Sequence, residues 1–220
     1  MRELATIVIP VWENYWSAED LSLLQQAIYT LKGFSFVFVS GENQYQEQVQ
    51  QLFPESTFYR FDPKYFSGQK AFAQLTLREE FYEQFGWAEY MLLLLGNTIF
   101  VKNELHYWCK QGHDYVSDKN GWCSLRKIDR FVTLTKKNRR GIHKFLSGSV
   151  AFENDHIYWH KKSKGLWPAL NVPTEIVSRY FSLPFDQVNW DLKRIDMPFT
   201  ITGIDPNSHA EKLELLLKQK

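Results

Sequence analysis

Residues 90–95, Tyr-Met-Leu-Leu-Leu-Leu, are apolar without interruption or alternation, and the run stops abruptly at Gly96-Asn97-Thr98. A strand with one wet face alternates apolar and polar side chains. A run that is apolar on both faces must be covered on both, the pattern of a central strand in a mostly parallel sheet flanked by helices. In open α/β sheets ligands bind beyond the carboxyl ends of such strands. Asn97 and Thr98 therefore stand where a site is expected. The plainer alternative is that Gly96-Asn97-Thr98 only turns or bulges the chain into Ile99-Phe100-Val101.

The segments upstream fit that sheet. Residues 4–11 read as a buried strand ending near Pro10, and Ser17-Ala18-Glu19-Asp20 has the form of a capping box. Leu21, Leu24, Ile28 and Leu31 then follow at helical spacing until Gly33. A second strand is expected over 34–39 with Ser40-Gly41 as its exit, and a helix over 43–53 carries Val49, Leu52 and Phe53 on its apolar face. Strand, helix, strand, helix at this spacing begins a βαβ architecture. Residues 57–61 read as a third strand, 62–68 as a loop rich in polar groups, and 69–85 as one helix through Phe72, Leu75 and Phe81.

Downstream, a short helix is expected over 104–110 and a short strand over 113–116. Asp118-Lys119-Asn120-Gly121 is a strong turn signal, and helices follow over 128–134 and 173–181, with a late strand over 197–202. Residues 208–217 have the spacing of an amphipathic helix with its own capping box, Ser208 to Glu211. The fold class is α/β, with a single domain over residues 1–204 and a C-terminal helix over 205–220.

With 220 residues the chain can bury a large core without disulfides or metal. A net charge of +1 argues against general nucleic-acid binding. Cys109 and Cys123 have no metal-ligand spacing and read as reduced, buried thiols. The N-terminus lacks a signal-peptide pattern, and no apolar run approaches the roughly 20 residues of a membrane span, so a cytoplasmic protein is expected. Two basic clusters, residues 136–140 and 160–164, are either solvated surface or contacts for an anionic partner. That partner is acidic phospholipid, which would place the protein peripherally on the inner membrane face, or the diphosphate of a substrate.

No Walker loop, GxGxxG, HExxH, GxSxG or CxxC is present. The polar residues at expected strand ends and turns are Glu13, Asp62, Lys64, Asn97, Asn120, Ser124, Arg126 and Asp155. Each has an ordinary use as a turn, cap or surface residue, and their grouping after strands singles them out.

The blocks Tyr90-Met91-Leu92, residues 99–105, Tyr107-Trp108-Cys109, Asp114-Tyr115-Val116 and residues 120–127 resemble a bacterial family of glycosyltransferase-like domains of GT-A type, found among polysaccharide and glycan biosynthesis proteins. Residues 8–11, 36–39 and 60–66 fit the same pattern upstream, and 154–158 with Pro198-Phe199 fit it more loosely. The resemblance implies a nucleoside diphosphate sugar donor and a glycan or lipid-linked acceptor. It implies the nucleotide near Pro10, Val11, Glu13 and Ser40, and the sugar diphosphate near Asp62, Lys64, Asn97 and Arg126.

The family's metal-holding carboxylate falls on Asn97, its late histidine on Thr202, and an asparagine of the preceding helix on Ala73. An amide supplies no charge to Mn²⁺ or Mg²⁺, so the resemblance leaves the metal open and turns attention to Lys64, Arg126 and the basic clusters as counter-charges. Asp155 aligns with the family's acidic pair and is the expected general base of an inverting transfer, with helix N-capping as its plainer use. Trp122 and Tyr158 are candidates to stack on a sugar ring or simply to fill the core. A nucleotide-sugar-binding domain without chemistry, or a scaffold subunit of a glycan-assembly complex, is the alternative to a transferase.

Overall fold

The computed structural model describes residues 2–11, 17–41, 44–148, 154–164, 168–191, 193–205, 208–209 and 212. Glu13 and most of the expected helix over 208–217 lie outside the described residues.

Four strands lie parallel in the order β3 (Thr57–Arg60), β2 (Ser35–Ser40), β1 (Glu3–Pro10), β4 (Ala88–Leu94). The sheet continues with β7 (Cys123–Lys127), antiparallel to β4, and ends with β6 (Tyr115–Ser117), antiparallel to β7. β6 therefore runs in the same direction as β1 to β4. The apolar run at 90–95 lies in the central pair with β1, Ala5 opposite Tyr90 and Ile7 opposite Leu92. A smaller sheet joins β5 (Thr98–Phe100), β9 (Thr200–Thr202) and β8 (Ser182–Pro184).

Alternation along the strands divides the core into two layers. Val8, Val37, Val39, Met91 and Leu93 face one side. That side is covered by α3 (Gln69–Thr76), α4 (Glu79–Glu83), α6 (Ile128–Lys137), α7 (Arg139–Leu146) and α8 (His156–Ser163). Ala5, Ile7, Ile9, Phe36, Phe38, Tyr90, Leu92 and Leu94 face the other. There α1 (Ala18–Thr30), α2 (Gln44–Leu52), α5 (Leu105–Lys110), α9 (Glu175–Phe181) and the smaller sheet cover them. The capping box of α1 forms as expected: Asp20 N donates to Ser17 Oγ at 3.1 Å and Ser17 N to Asp20 Oδ2 at 3.0 Å.

Several elements differ from the sequence reading, and α7 and α8 have no counterpart in it. The single helix expected over 69–85 is two, because the Tyr82 hydroxyl donates to the Thr76 carbonyl at 2.7 Å and takes the acceptor that a continuous helix would use. Arg78 is extended there, and the break lets Phe72, Leu75, Phe81, Tyr82 and Phe85 all reach the core. The basic run 136–140 is the junction of α6 and α7, where Lys136 pairs with Glu83 at 2.6 Å and Arg139 with Glu79 at 2.5 Å. Much of that charge binds α4 to its neighbours. β8 was not expected, because Ser-Leu-Pro is too short to show a period.

Both cysteines are buried, and burial pushes the Cys109 thiol up to about 12, which keeps it protonated. Among the described residues no helix is long and apolar enough to cross a membrane.

Candidate active site

The chain builds β1, β2 and β3 outward in one direction and then crosses to β4 on the other side of β1. The carboxyl ends of β1 and β4 thus flank a topological switch point, where helix connections diverge and leave a crevice. Five parallel strands deliver their ends to this edge: Pro10-Val11 from β1, Ser40-Gly41 from β2, residues 60–62 from β3, Leu95-Gly96-Asn97 from β4 and Ser117-Asp118 from β6.

On the β1–β3 side the edge is tightly tied. Val11 N donates to Val39 O at 2.8 Å, and Phe61 N to Ser40 O at 2.9 Å. Gly41 is required there, because a Cβ would lie 2.5 Å from Pro63 Cα. Asp62 caps the turn Pro63–Tyr65 by accepting from Lys64 N at 3.1 Å and from Lys64 Nζ at 2.5 Å. The hydrogen bond from Lys64 holds the Asp62 carboxyl below its usual range. The pair is exposed, so separating it costs little. Structure thus brings Pro10, Val11, Ser40, Asp62 and Lys64 to one rim.

On the β4 side, Gly96-Asn97-Thr98 is indeed a turn into β5, with Thr98 Oγ1 donating to Gly96 O at 3.0 Å. Asn97 is half-buried at the strand end and accepts from Ile204 N at 3.4 Å through its carbonyl. The Trp122 ring lies flat against Gly96 and Gly203, whose Cβ atoms would sit 3.2 and 3.0 Å from it. Tyr158, by contrast, is core: its ring packs on Phe145 and Trp159 and it is 4% exposed. Ala73 and Thr202 are buried as well.

Among the described residues no three His, Cys, Asp or Glu side chains come together as a metal ion would need. Asp118, just past the end of β6, accepts from Cys123 N at 2.9 Å, Asn120 N at 3.1 Å and Thr202 Oγ1 at 3.4 Å. Burial raises its pKa against those hydrogen bonds. An amide at Asn97 and a carboxylate committed to its own turn do not fit a divalent cation.

Arg126 and Asp155 are brought together, but in the core. The guanidinium clamps the carboxylate with Nη1 to Oδ2 at 2.6 Å and Nη2 to Oδ1 at 2.9 Å, and both residues are 0% exposed. Trp159 Nε1 donates to the same Oδ2 at 2.9 Å, Tyr82 Oη accepts from Arg126 at 2.8 Å and Ser124 Oγ at 2.9 Å. Arg126 thus meets no solvent for a diphosphate, and the carboxylate expected as a base has both oxygens occupied. Neither polarity nor spacing in sequence announces this: an arginine on β7 reads as surface until the sheet's neighbours are known.

The residue after Asp155 is half-buried at the wall of a cleft. His156 begins α8 with Nδ1 at 3.0 Å from the Tyr115 hydroxyl and 3.1 Å from Ser117 Oγ. Sequence reading placed Tyr115 and His156 only within the blocks of the resemblance and gave none of the three a role. Its one available signal was the spacing of Tyr115 and Ser117, two apart on a strand and so on the same face. Burial, and next the charge of His160, lower the His156 pKa to about 4, so the imidazole is neutral at pH 7. The unfolded chain, near 6.5, gains its proton first as pH falls. Stability is therefore complete above pH 6.5 and is lost through the window down to about 4, by about 2–3 kcal/mol from this group. Denaturant titrations across that window should show the loss in the native protein and a flatter profile in His156→Gln; equal profiles would refute the assignment.

His156 lines a cleft of about 870 Å³ that runs along the outer side of β6 between α8, α9 and β8, and that meets the carboxyl edge at Asp118. Ile157, Val172, Pro173 and Leu183 give it apolar walls. A volume of this size holds a small oligosaccharide or a drug-sized ligand.

Three comparisons bear on this geometry. A family model described as a protein of unknown function, DUF5672, matches residues 55–201. A search of curated proteins finds no match. Among solved structures, the glycosyltransferase GlyE of Streptococcus pneumoniae TIGR4 superposes with a TM-score of 0.61 at 9% identity, covering 93% of this chain and 55% of GlyE. The chain thus spans about half the length of that protein. The 4-diphosphocytidyl-2C-methyl-D-erythritol synthase of Anaerococcus prevotii DSM 20548 matches at a TM-score of 0.42 and 9% identity, covering 80% of this chain and 93% of that one. The likeness to GlyE establishes a GT-A-like α/β domain as the fold.

Proposed function

We propose, for a chain that belongs to the DUF5672 family of proteins of unknown function, that it transfers a sugar from a nucleoside diphosphate sugar to a glycan acceptor. The observation that carries the reading is the switch-point edge, where Val11, Ser40, the Asp62–Lys64 turn and Asn97 converge in a fold shared with a glycosyltransferase. The nucleotide lies over the ends of β1 and β2, and Lys64 leaves Asp62 to meet the diphosphate.

In the transfer, an acceptor hydroxyl oxygen bonds to the anomeric carbon as the bond from that carbon to the diphosphate oxygen breaks. The nucleoside diphosphate departs with the electron pair. The hydroxyl proton goes to a base, and with the Asp155 carboxylate occupied by Arg126, the neutral His156 imidazole takes that part. Ser117 Oγ accepting from Nδ1–H leaves the Nε2 lone pair for the proton. Asp155 and Arg126 then act as positioning residues that hold the start of α8.

A second reading, nucleotide-sugar binding without transfer, is favoured by the uncharged Asn97. Thermal unfolding with a panel of nucleotide sugars separates the two from a protein that binds no nucleotide. One donor at saturating millimolar concentration should raise Tm by about 3–6 °C, equally with Mn²⁺ and with EDTA. Turnover of that donor, falling about 10²–10⁴-fold in His156→Gln, supports transfer. Binding without turnover leaves the second reading, and no shift with any donor sinks both.

A further inference from the structure

The cleft beside β6 has a chemistry of its own. Lys119, Lys161, Lys164 and Arg179 line it against two carboxylates, Asp118 and Glu175. Asp118 is buried and hydrogen-bonded to backbone amides, and Glu175 lies 3.8 Å from Arg179, so among the described residues four cationic side chains face two carboxylates and the cleft keeps a positive balance. The neighbouring histidines are neutral at pH 7, His160 lowered by burial and by Lys164. Deeper in, Ser182 is 3% exposed and its hydroxyl has no hydrogen-bond partner among the described residues, although it lines the cleft. A buried hydroxyl left unpaired costs about 1–3 kcal/mol, and a ligand oxygen relieves that cost. Apolar walls, a hydroxyl in need of a partner, a neutral imidazole and a cationic mouth together suit a sugar ring that bears a negative group.

We infer that this cleft binds an anionic sugar, a glycan acceptor carrying a phosphate or a carboxylate. The inference rests on the transferase reading only for the word acceptor; the binding itself follows from the cleft. The charged group lies among Lys119, Lys161 and Lys164, and the ring passes His156 toward Asp118 and the β4 end.

Calorimetric titration of the intact protein with glucose 6-phosphate, glucuronate and glucose tests it, with a nucleotide-sugar titration on the same samples. Glucose 6-phosphate or glucuronate should bind at millimolar concentration or better, and glucose at least tenfold more weakly. The arm that binds identifies the charged group as phosphate or carboxylate. In Lys161→Ala/Lys164→Ala, both exposed positions, affinity for the anionic sugar should fall about tenfold while that for the nucleotide sugar stays unchanged. Equal binding of glucose, no binding of either anionic sugar, or undiminished binding by the variant overturns the inference. Anionic-sugar binding with no nucleotide binding sinks the transferase reading and leaves the cleft assignment standing; nucleotide binding alone does the reverse.

Discussion

Arg126→Met should lower the unfolding free energy by about 3–5 kcal/mol, measured as a shift in the denaturant midpoint at constant slope. The substitution keeps the side chain's length and apolar stem, so packing against Phe131 and Tyr115 largely survives. What it removes is the partner of a carboxylate that is shut off from water, and a buried charge without a partner carries its full desolvation cost. Asp155→Leu should cost a similar amount by stranding the guanidinium. The double substitution should recover most of the loss, since two apolar side chains leave no charge behind and only Tyr82, Ser124 and Trp159 lose polar partners. Simple addition of the two losses would mean that the ion pair is not the coupled unit the geometry describes. The outcome also bears on function: Asp155 immediately precedes α8, so an opened pair would displace His156, and nucleotide-sugar turnover should fall along with stability in either single variant.

The second large effect is expected at Gly121. It sits at φ 74°, and a Cβ there would overlap His156 Cβ and stand 3.0 Å from Asn154 Oδ1. Asn154 already ties this turn to α8, donating to Asn120 O at 2.7 Å and accepting from His156 N at 3.0 Å. Gly121→Ala therefore combines left-handed strain with steric overlap against a helix that the hydrogen bonds hold in place, and should cost about 3 kcal/mol or more. Gly112, at the same φ of 74° with nothing near its Cβ position, isolates the backbone share. Gly112→Ala should cost only about 1 kcal/mol. If the two variants unfold at the same denaturant concentration, the turn and α8 are not interlocked, and the positioning of His156 by residues 118–121 falls with that interlock.

Sequence by itself determined the central strand, because six consecutive apolar side chains can be satisfied only between two covering layers. It also determined the βαβ beginning, the α1 capping box and the 118–121 turn, each of which depends on residues within a few positions of one another. The rim residues Pro10, Val11, Ser40, Asp62, Lys64 and Asn97 were legible for the same reason: a strand's end is a local signal, and parallel strands bring their ends to one edge. Tertiary structure alone decided the rest. Whether Arg126 meets water depends on Tyr82, Phe131 and Asp155, which stand 44, 5 and 29 residues away in the chain and meet it only because β7 turns back beside β4. The break between α3 and α4 depends on one tyrosine hydroxyl reaching a carbonyl, which no helical periodicity records. The cleft, with His156 from α8, Tyr115 and Ser117 from β6 and Ser182 from β8, joins segments whose separate sequences carry no common pattern. Propensity and periodicity act over one or two turns of chain, whereas desolvation and hydrogen-bond pairing are settled by whatever packing places alongside.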